Sequence, residues 1–236
     1  MRTYSYSRIS TYLRCPRLAR FRYVEKTPPE SVSIALPLGS AIHDAVAYSV
    51  HRPDASTEEL NKMLQDVFLS RIDATDAPVN FKGKTLEETY DQAEGMFNAY
   101  LKQPITGVKS TEQHFEIPVG DLRLEGFIDF ITKDEIVELK TAARSYSQMQ
   151  VDLNLQATCY AAAVMNGEPV RVRFLVLTKT KVPKVQSITT WRSKEDVTIL
   201  ESVTRHVDSG FQKGVFPRNI SVQTCSGCEF KEKCLN

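Results

Sequence analysis

Residues 122–141, LRLEGFIDFITKDEIVELKT, read as two strands and a tight turn. LRLEGFIDFI is rich in Leu, Ile and Phe, TKDE is polar, and IVELKT alternates apolar with polar positions. Ser110 to Val119 precedes this hairpin as a further strand, with a turn at Gly120-Asp121. VRVRFLVLTKT from Val170 and the stretch Lys184 to Trp191 follow it as two more. Helical periodicity marks Leu38 to Val50, Thr57 to Arg71, Leu86 to Leu101, one long helix from Ser145 to Met165, and Ser193 to Gln212. Residues 4–23 predict a short helix with Ser7 as N-cap, a break at Pro16, and more helix. Thr27 to Leu38, with Pro28, Pro29 and Pro37, is a connector. Leu60, Leu64, Phe68, Tyr90, Met96, Phe97 and Tyr100 are the candidate core of the region 51–110. Leu153, Leu155, Ala157, Tyr160 and Ala161 are candidate packing positions of the long helix, and Cys159 is a small core residue.

The chain has 236 residues, room for one large domain or one domain with a small appendage. Its 42% hydrophobic and 25% charged content is that of a soluble globular protein. No apolar run approaches a membrane span, and MRTYSYSRIS lacks the apolar core of a signal peptide, so a cytoplasmic protein is expected. A net charge of +1 gives no global field for nucleic acid. The charge is uneven, however. Residues 1–26 carry seven basic side chains against Glu25, while Asp54 to Glu94 is acidic. A local basic surface can bind phosphates, although a solvated helix face reads the same way.

The hairpin carries candidate chemistry. With the turn centred on Lys133-Asp134, Asp129 faces Glu138 across the strands, their Cβ atoms ~5 Å apart. Lys140, two residues past Glu138, shares its face. Two carboxylates this close repel, and one tends to stay protonated. A divalent cation such as Mg²⁺ or Mn²⁺ removes the conflict, with Lys140 then placed beside the metal-bound water or the scissile phosphate. A surface ion pair is the competing reading. Gly39 and His43 lie four apart on one helix face, the Gly allowing another backbone to approach. His43 joins the site only if its helix packs beside the hairpin.

Cys225, Cys228 and Cys234 are spaced C-x2-C-x5-C, and Cys15 is the natural fourth thiolate. Four thiolates can hold zinc or an iron–sulfur cluster. Zinc sites often use two C-x2-C pairs, so the one-plus-three split favours the cluster. Such a site joins the two ends of the chain. Closing a loop of roughly 200 residues removes about 5 kcal/mol of unfolded-state freedom in the chain-entropy model.

Four short motifs in order, G-S-A-I-H (Gly39 to His43), G-F-I-D (Gly126 to Asp129), E-L-K (Glu138 to Lys140) and Q-A-T-C-Y (Gln156 to Tyr160), resemble the RecB-like branch of the PD-(D/E)XK nucleases. The one-plus-three cysteines, the first in an R-C-P context, resemble its iron–sulfur subset. That subset includes the CRISPR-associated Cas-four exonucleases and AddB-type nuclease domains. The proline of the family name is missing: Phe127-Ile128-Asp129 has none.

The resemblance implies an α/β fold with a central mixed sheet flanked by helices. It implies one nuclease domain over 1–236, with a sheet core at 110–192, a helical insertion at 51–110, and an iron–sulfur lobe made from 1–26 and 215–236. His43, Asp129, Glu138 and the Leu139 carbonyl would bind Mn²⁺ or Mg²⁺. Lys140 would position or help deprotonate the attacking water. Gln156 and Tyr160 would orient the DNA strand, and Cys15, Cys225, Cys228 and Cys234 would hold a [4Fe–4S] cluster. The implied activity is exonucleolytic hydrolysis of single-stranded DNA ends, 5′ to 3′. A DNA-end-processing subunit of a CRISPR-adaptation or recombination complex, with an integrase as partner, is the alternative.

Overall fold

The computed structural model describes residues 1–235. β1 (Thr3–Ser5) runs directly into α1 (Tyr6–Arg14), followed by α2 (Pro16–Ala19) and a π-helical turn at Arg20–Val24. Then come β2 (Val32–Ser33), α3 (Ala35–His51), α4 (Thr57–Asp73), β3 (Val79–Asn80) and α5 (Leu86–Leu101). The central strands are β4 (Val108–Val119), β5 (Leu122–Thr132) and β6 (Ile136–Ala142). After them come α6 (Gln148–Asp152), α7 (Leu155–Val164), β7 (Val170–Thr178), β8 (Val185–Arg192), α8 (Lys194–Gln212), α9 (Val222–Cys225) and α10 (Lys231–Leu235).

The fold is a mixed sheet between two helical layers, as expected. Its order is β1-β5-β6-β7-β8, with β4 also on β5. β1/β5 and β6/β7 are parallel; β4/β5, β5/β6 and β7/β8 are antiparallel. β4 lines one edge of β5 for almost its whole length. On the other edge β1 takes residues 123–125 and β6 takes 130–131. The stretch 126–129 is left between them, and the sheet opens there.

Both faces of β7 are buried, which is why it reads as a continuous apolar run. Val172, Phe174 and Val176 pack with Ile9, Ala157 and Leu200 on one side of the sheet. Leu175 and Leu177 pack with Ala41, Leu64 and Phe97 on the other. The helices of the region 51–110 therefore form a layer against the sheet, with Leu60, Leu64, Phe68, Met96, Phe97 and Tyr100 buried and Tyr90 half-buried.

Several local expectations give way. Ser5, not Ser7, caps α1: its hydroxyl accepts from the Arg8 amide. Residues 3–5 extend beside β5 as a short strand, a pairing three residues are too few to announce. α3 begins at Ala35 and takes in Pro37, whose missing amide is no loss in a first turn. The long helix from Ser145 is two helices. Asn154 breaks it because its side chain accepts from the Gln156 amide and starts α7. Leu153, expected to pack, is 78% exposed at that break. What faces Gly39 is the Thr141 hydroxyl, 3.5 Å from where a Cβ would stand, so no backbone approaches there.

β1 is tied to α8 through Asp208, whose carboxylate accepts from Arg2 Nε and Nη2 at 2.6 and 2.8 Å and from the Tyr4 hydroxyl at 2.9 Å. The Arg2 bonds, with help from Tyr4, hold the Asp208 carboxyl below its ordinary value. A depressed carboxylate adds stability that is present above the unfolded value and lost as pH falls through the native one. Asp208→Asn should therefore lower the urea midpoint at pH 7, and its difference from wild type should shrink below about pH 4. Parallel urea titrations at the two pH values check this.

Candidate active site

The site lies where β5 and β6 part. The ladder pairs Phe130 with Val137 and Ile131 with Ile136, and that register sets Asp129 opposite Glu138 as expected. Continued regularly, it would hand the Leu139 amide to Ile128. Asp129 Oδ2 accepts that amide instead, at 2.8 Å. Amide and carbonyl of one strand residue point the same way, so the Leu139 carbonyl also faces the gap.

β5 changes face here. Ile128 packs in one layer and Phe130 in the other, although residues two apart in a regular strand share a face. Across the ladder, between the pairs Thr111↔Phe130 and Gln113↔Ile128, Glu112 has φ 48. That left-handed conformation is uncommon for a non-glycine residue and tends to mark functional sites.

α3 packs beside the hairpin and brings His43 Nδ1 to 3.5 Å from Asp129 Oδ2. His43, Glu112 and Asp129 place one ligand atom each within 4.8 Å of one another. Glu138 is not in this trio. Its carboxylate is buried, contacts the Lys140 ammonium as a charge, and accepts no aligned hydrogen bond at either oxygen. Lys140 Nζ donates to Gln156 Oε1 at 2.7 Å, and Gln156 Nε2 donates to the Tyr160 hydroxyl at 2.7 Å. His43 and Asp129 thus form one group and Glu138, Lys140, Gln156 and Tyr160 another, joined through the Leu139 backbone into a single constellation. Tyr160 is only 4% exposed, and its hydroxyl serves Gln156.

The electrostatics follow from burial. Desolvation pushes the Asp129 carboxyl up, but the His43 bond and charge and the Leu139 amide outweigh it and hold it below the ordinary range. Glu138 goes the other way: desolvation, then the Asp129 charge, pushes it up to about 7. Desolvation lowers His43 and Lys140, but Asp129 and Glu138 respectively leave both raised. Two buried carboxylates pulled apart in this way, one with both oxygens orphaned, fit a hard divalent cation. The donors are carboxylate oxygens, a carbonyl and an imidazole.

Two further side chains position the constellation, and neither is announced by a motif. Gly126 of G-F-I-D lies under the Phe115 ring; a Cβ there would stand 2.9 Å from two ring atoms. Phe115 in turn packs edge-on against Tyr160, ring centroids 6.1 Å apart. Gly126→Ala should push that stack toward Gln156 and cost about 1–3 kcal/mol, read as a lower melting midpoint together with lower activity.

Arg192, at the end of β8, is buried. Its Nη2 donates to the carbonyls of Val151, Asp152 and Asn154 at 2.9, 2.9 and 3.1 Å, and Nε donates to Thr158 Oγ1 at 2.9 Å. It fastens the end of α6 to the start of α7, and so sets where Gln156 sits. Arg192→Met leaves those carbonyls unpaired and should cost at least about 2 kcal/mol, measurable by urea unfolding.

Cys15, Cys225, Cys228 and Cys234 are free thiols that line one cavity between the chain ends. Leu18, Phe21 and Phe230 pack against Cys15, Cys228 and Cys234. Arg218 and Lys231 also line the cavity and would balance thiolate charge. Arg22 clamps the lobe by donating Nε and Nη2 to Glu229 at 2.5 and 2.8 Å. Cys159 stands apart in the core, its thiol pushed up to about 12 by burial. Among the described residues, no helix is long and apolar enough to cross a membrane.

Residues 3–235 match the model of the PD-(D/E)XK nuclease superfamily. A crystal structure titled "Putative exonuclease" from Eubacterium rectale is similar over 97% of this chain and 86% of its own, with TM-score 0.63 and 15% identity, which shows a shared fold. A structure titled SSO0001 aligns over 96% of this chain and 95% of its own, at TM-score 0.39 and 11% identity. No curated protein matches the sequence.

Proposed function

Because the chain belongs to the PD-(D/E)XK nuclease superfamily, we propose that it is a metal-dependent exonuclease hydrolysing single-stranded DNA from its ends, 5′ to 3′. The observation that carries the reading is the convergence of His43, Glu112 and Asp129, with the Glu138–Lys140 pair set on the next strand where β5 and β6 separate.

His43, Asp129, Glu138 and the Leu139 carbonyl would hold Mn²⁺ or Mg²⁺, and Glu112, whose carboxylate lies within 4.8 Å of His43 and Asp129 ligand atoms, would join them. The bound ion supplies Lewis acidity at a phosphoryl oxygen and acidifies water. Lys140 Nζ, fixed between Glu138 and Gln156, puts positive charge beside the non-bridging phosphate oxygens, where negative charge grows as phosphorus becomes five-coordinate. Gln156, braced by Tyr160, fixes the height of that ammonium and lines the groove beside it.

The four cysteines would hold a [4Fe–4S] cluster and so staple the chain ends, as the resemblance to the Cas-four and AddB-type enzymes implies. Their shared apolar cavity and its two cationic rim residues support this. The thiolates supply the ligands, and the apolar shell of Leu18, Phe21 and Phe230 limits solvent access to the site.

Digestion of single-stranded oligonucleotides labelled at the 5′ or the 3′ end, with Mn²⁺, Mg²⁺ or EDTA, tests the activity. The reading expects short 5′ products with either metal and none with EDTA. Undiminished cleavage in EDTA overturns the metal mechanism, and release from the 3′ end overturns the polarity.

A further inference from the structure

An open groove of about 400 Å³ runs beside the bare edge of β5, between the end of β1 and the start of α7. Ser5, Tyr6 and Ser7 form one wall, Gln156 and Tyr160 the opposite one, and Glu125, Gly126 and Phe127 the floor, with His114 and Phe115 behind. Phe127 is the anomaly. Alternation puts it on the opposite face from the buried Ile128, and there a large aromatic ring is left 56% exposed. No core needs it. The His114 ring stands directly opposite it in the ladder, centroids 4.9 Å apart.

The placement of this pair is informative. Phe127 is two residues before Asp129, about 7 Å along the strand. The far wall of the groove, Gln156, is the residue that holds Lys140 Nζ. The groove is thus continuous with the catalytic constellation, and an aromatic platform stands one nucleotide's reach from the phosphate site. Aromatic faces take any base, but only a base free of its partner strand can lie on them.

We propose that Phe127, backed by His114, is a nucleobase-stacking subsite that receives an unpaired base next to the scissile phosphate and thereby selects single strands over duplex. The inference rests on the nuclease reading above and adds the residue that sets its substrate class. Phe127 is exposed and packs no core, so its replacement leaves the fold and the cation site intact. The first turn of α1, which carries no acidic residue, leaves the opposite wall open to the backbone of the same strand.

The test uses the whole protein and single-stranded decanucleotides carrying 2-aminopurine at successive positions from the 5′ end. Ca²⁺ replaces Mn²⁺ so that the strand is held rather than consumed. Wild type should quench the fluorescence of the base at one or two adjacent positions. Phe127→Ala should lose that quench and bind the strand roughly 10- to 100-fold more weakly. Phe127→Trp should restore both. Mn²⁺ affinity by titration calorimetry should match wild type in both variants. The ratio of single-strand to duplex kcat/KM should fall in Phe127→Ala through KM rather than kcat. If wild type binds and cleaves single strands but Phe127→Ala keeps its affinity and quench, the stacking subsite is overturned and the nuclease reading stands. If wild type neither binds nor cleaves DNA, the nuclease reading fails and this inference falls with it.

Discussion

Asp129→Asn is expected to lower DNA hydrolysis by roughly 10³-fold or more while leaving a folded protein. The substitution keeps the shape of the side chain, and its carbonyl oxygen can still accept the Leu139 amide that closes the gap between β5 and β6. What it removes is charge. Asp129 is the carboxylate held ionised in the metal-free site, by His43 and Leu139 against the push of burial. Its partner Glu138 goes the other way, pushed up to about 7 by burial and then by the Asp129 charge. The variant therefore lacks the group that first attracts the ion. Melting midpoint, Mn²⁺ calorimetry and oligonucleotide cleavage on the same preparation separate the effects. A stable variant with wild-type metal affinity and wild-type cleavage would contradict the role assigned to Asp129.

The second large effect concerns the opposite end of the molecule. If the four cysteines hold the proposed cluster, Cys15→Ser is expected to lose it and to lower unfolding free energy by about 5 kcal/mol, the freedom regained when a loop of roughly 200 residues is no longer closed. That is comparable to the whole stability of many domains. The remaining ties of the lobe, the Arg22–Glu229 clamp and the small cluster of Leu18, Phe21 and Phe230, cannot replace it. Cys159→Ser should keep the cluster, because that thiol lies in the core away from the cavity. Iron content, visible absorbance and urea midpoints of anaerobically purified variants check both. Full iron with an unchanged midpoint in Cys15→Ser would remove Cys15 from the ligand set.

How much of this was readable in the chain depends on how local the cause is. The strands β5, β6 and β7 follow from runs of Leu, Ile, Val and Phe, and the mixed sheet follows from the motifs they carry. Asp129, Glu138 and Lys140 were legible together because a hairpin register is arithmetic: one turn fixes every pair. His43 was legible only as a conditional, since nothing local says that α3 packs on β6.

Glu112 was missed because its part depends on a backbone φ of 48 and on the strand changing face at Asp129, neither of which has a sequence signal. Arg192 was missed for a related reason: its six hydrogen bonds go to backbone and hydroxyl groups of α6, α7 and β8, chosen by tertiary packing. The single helix from Ser145 was an error of period over punctuation. Asn154 is an ordinary N-cap residue, and its side chain competes with the helix it interrupts. The DNA role of Tyr160 comes from the family resemblance alone; what one turn of spacing adds is that its hydroxyl accepts from the Gln156 amide.

The most direct measurement is anomalous diffraction from a crystal soaked in Mn²⁺. A single strong peak between His43, Asp129 and Glu138, within coordination distance of the Leu139 carbonyl and with Lys140 Nζ beside it, is the predicted result. Saturating Mn²⁺ with no peak in the gap between β5 and β6, or a peak that these side chains turn away from, would contradict the account.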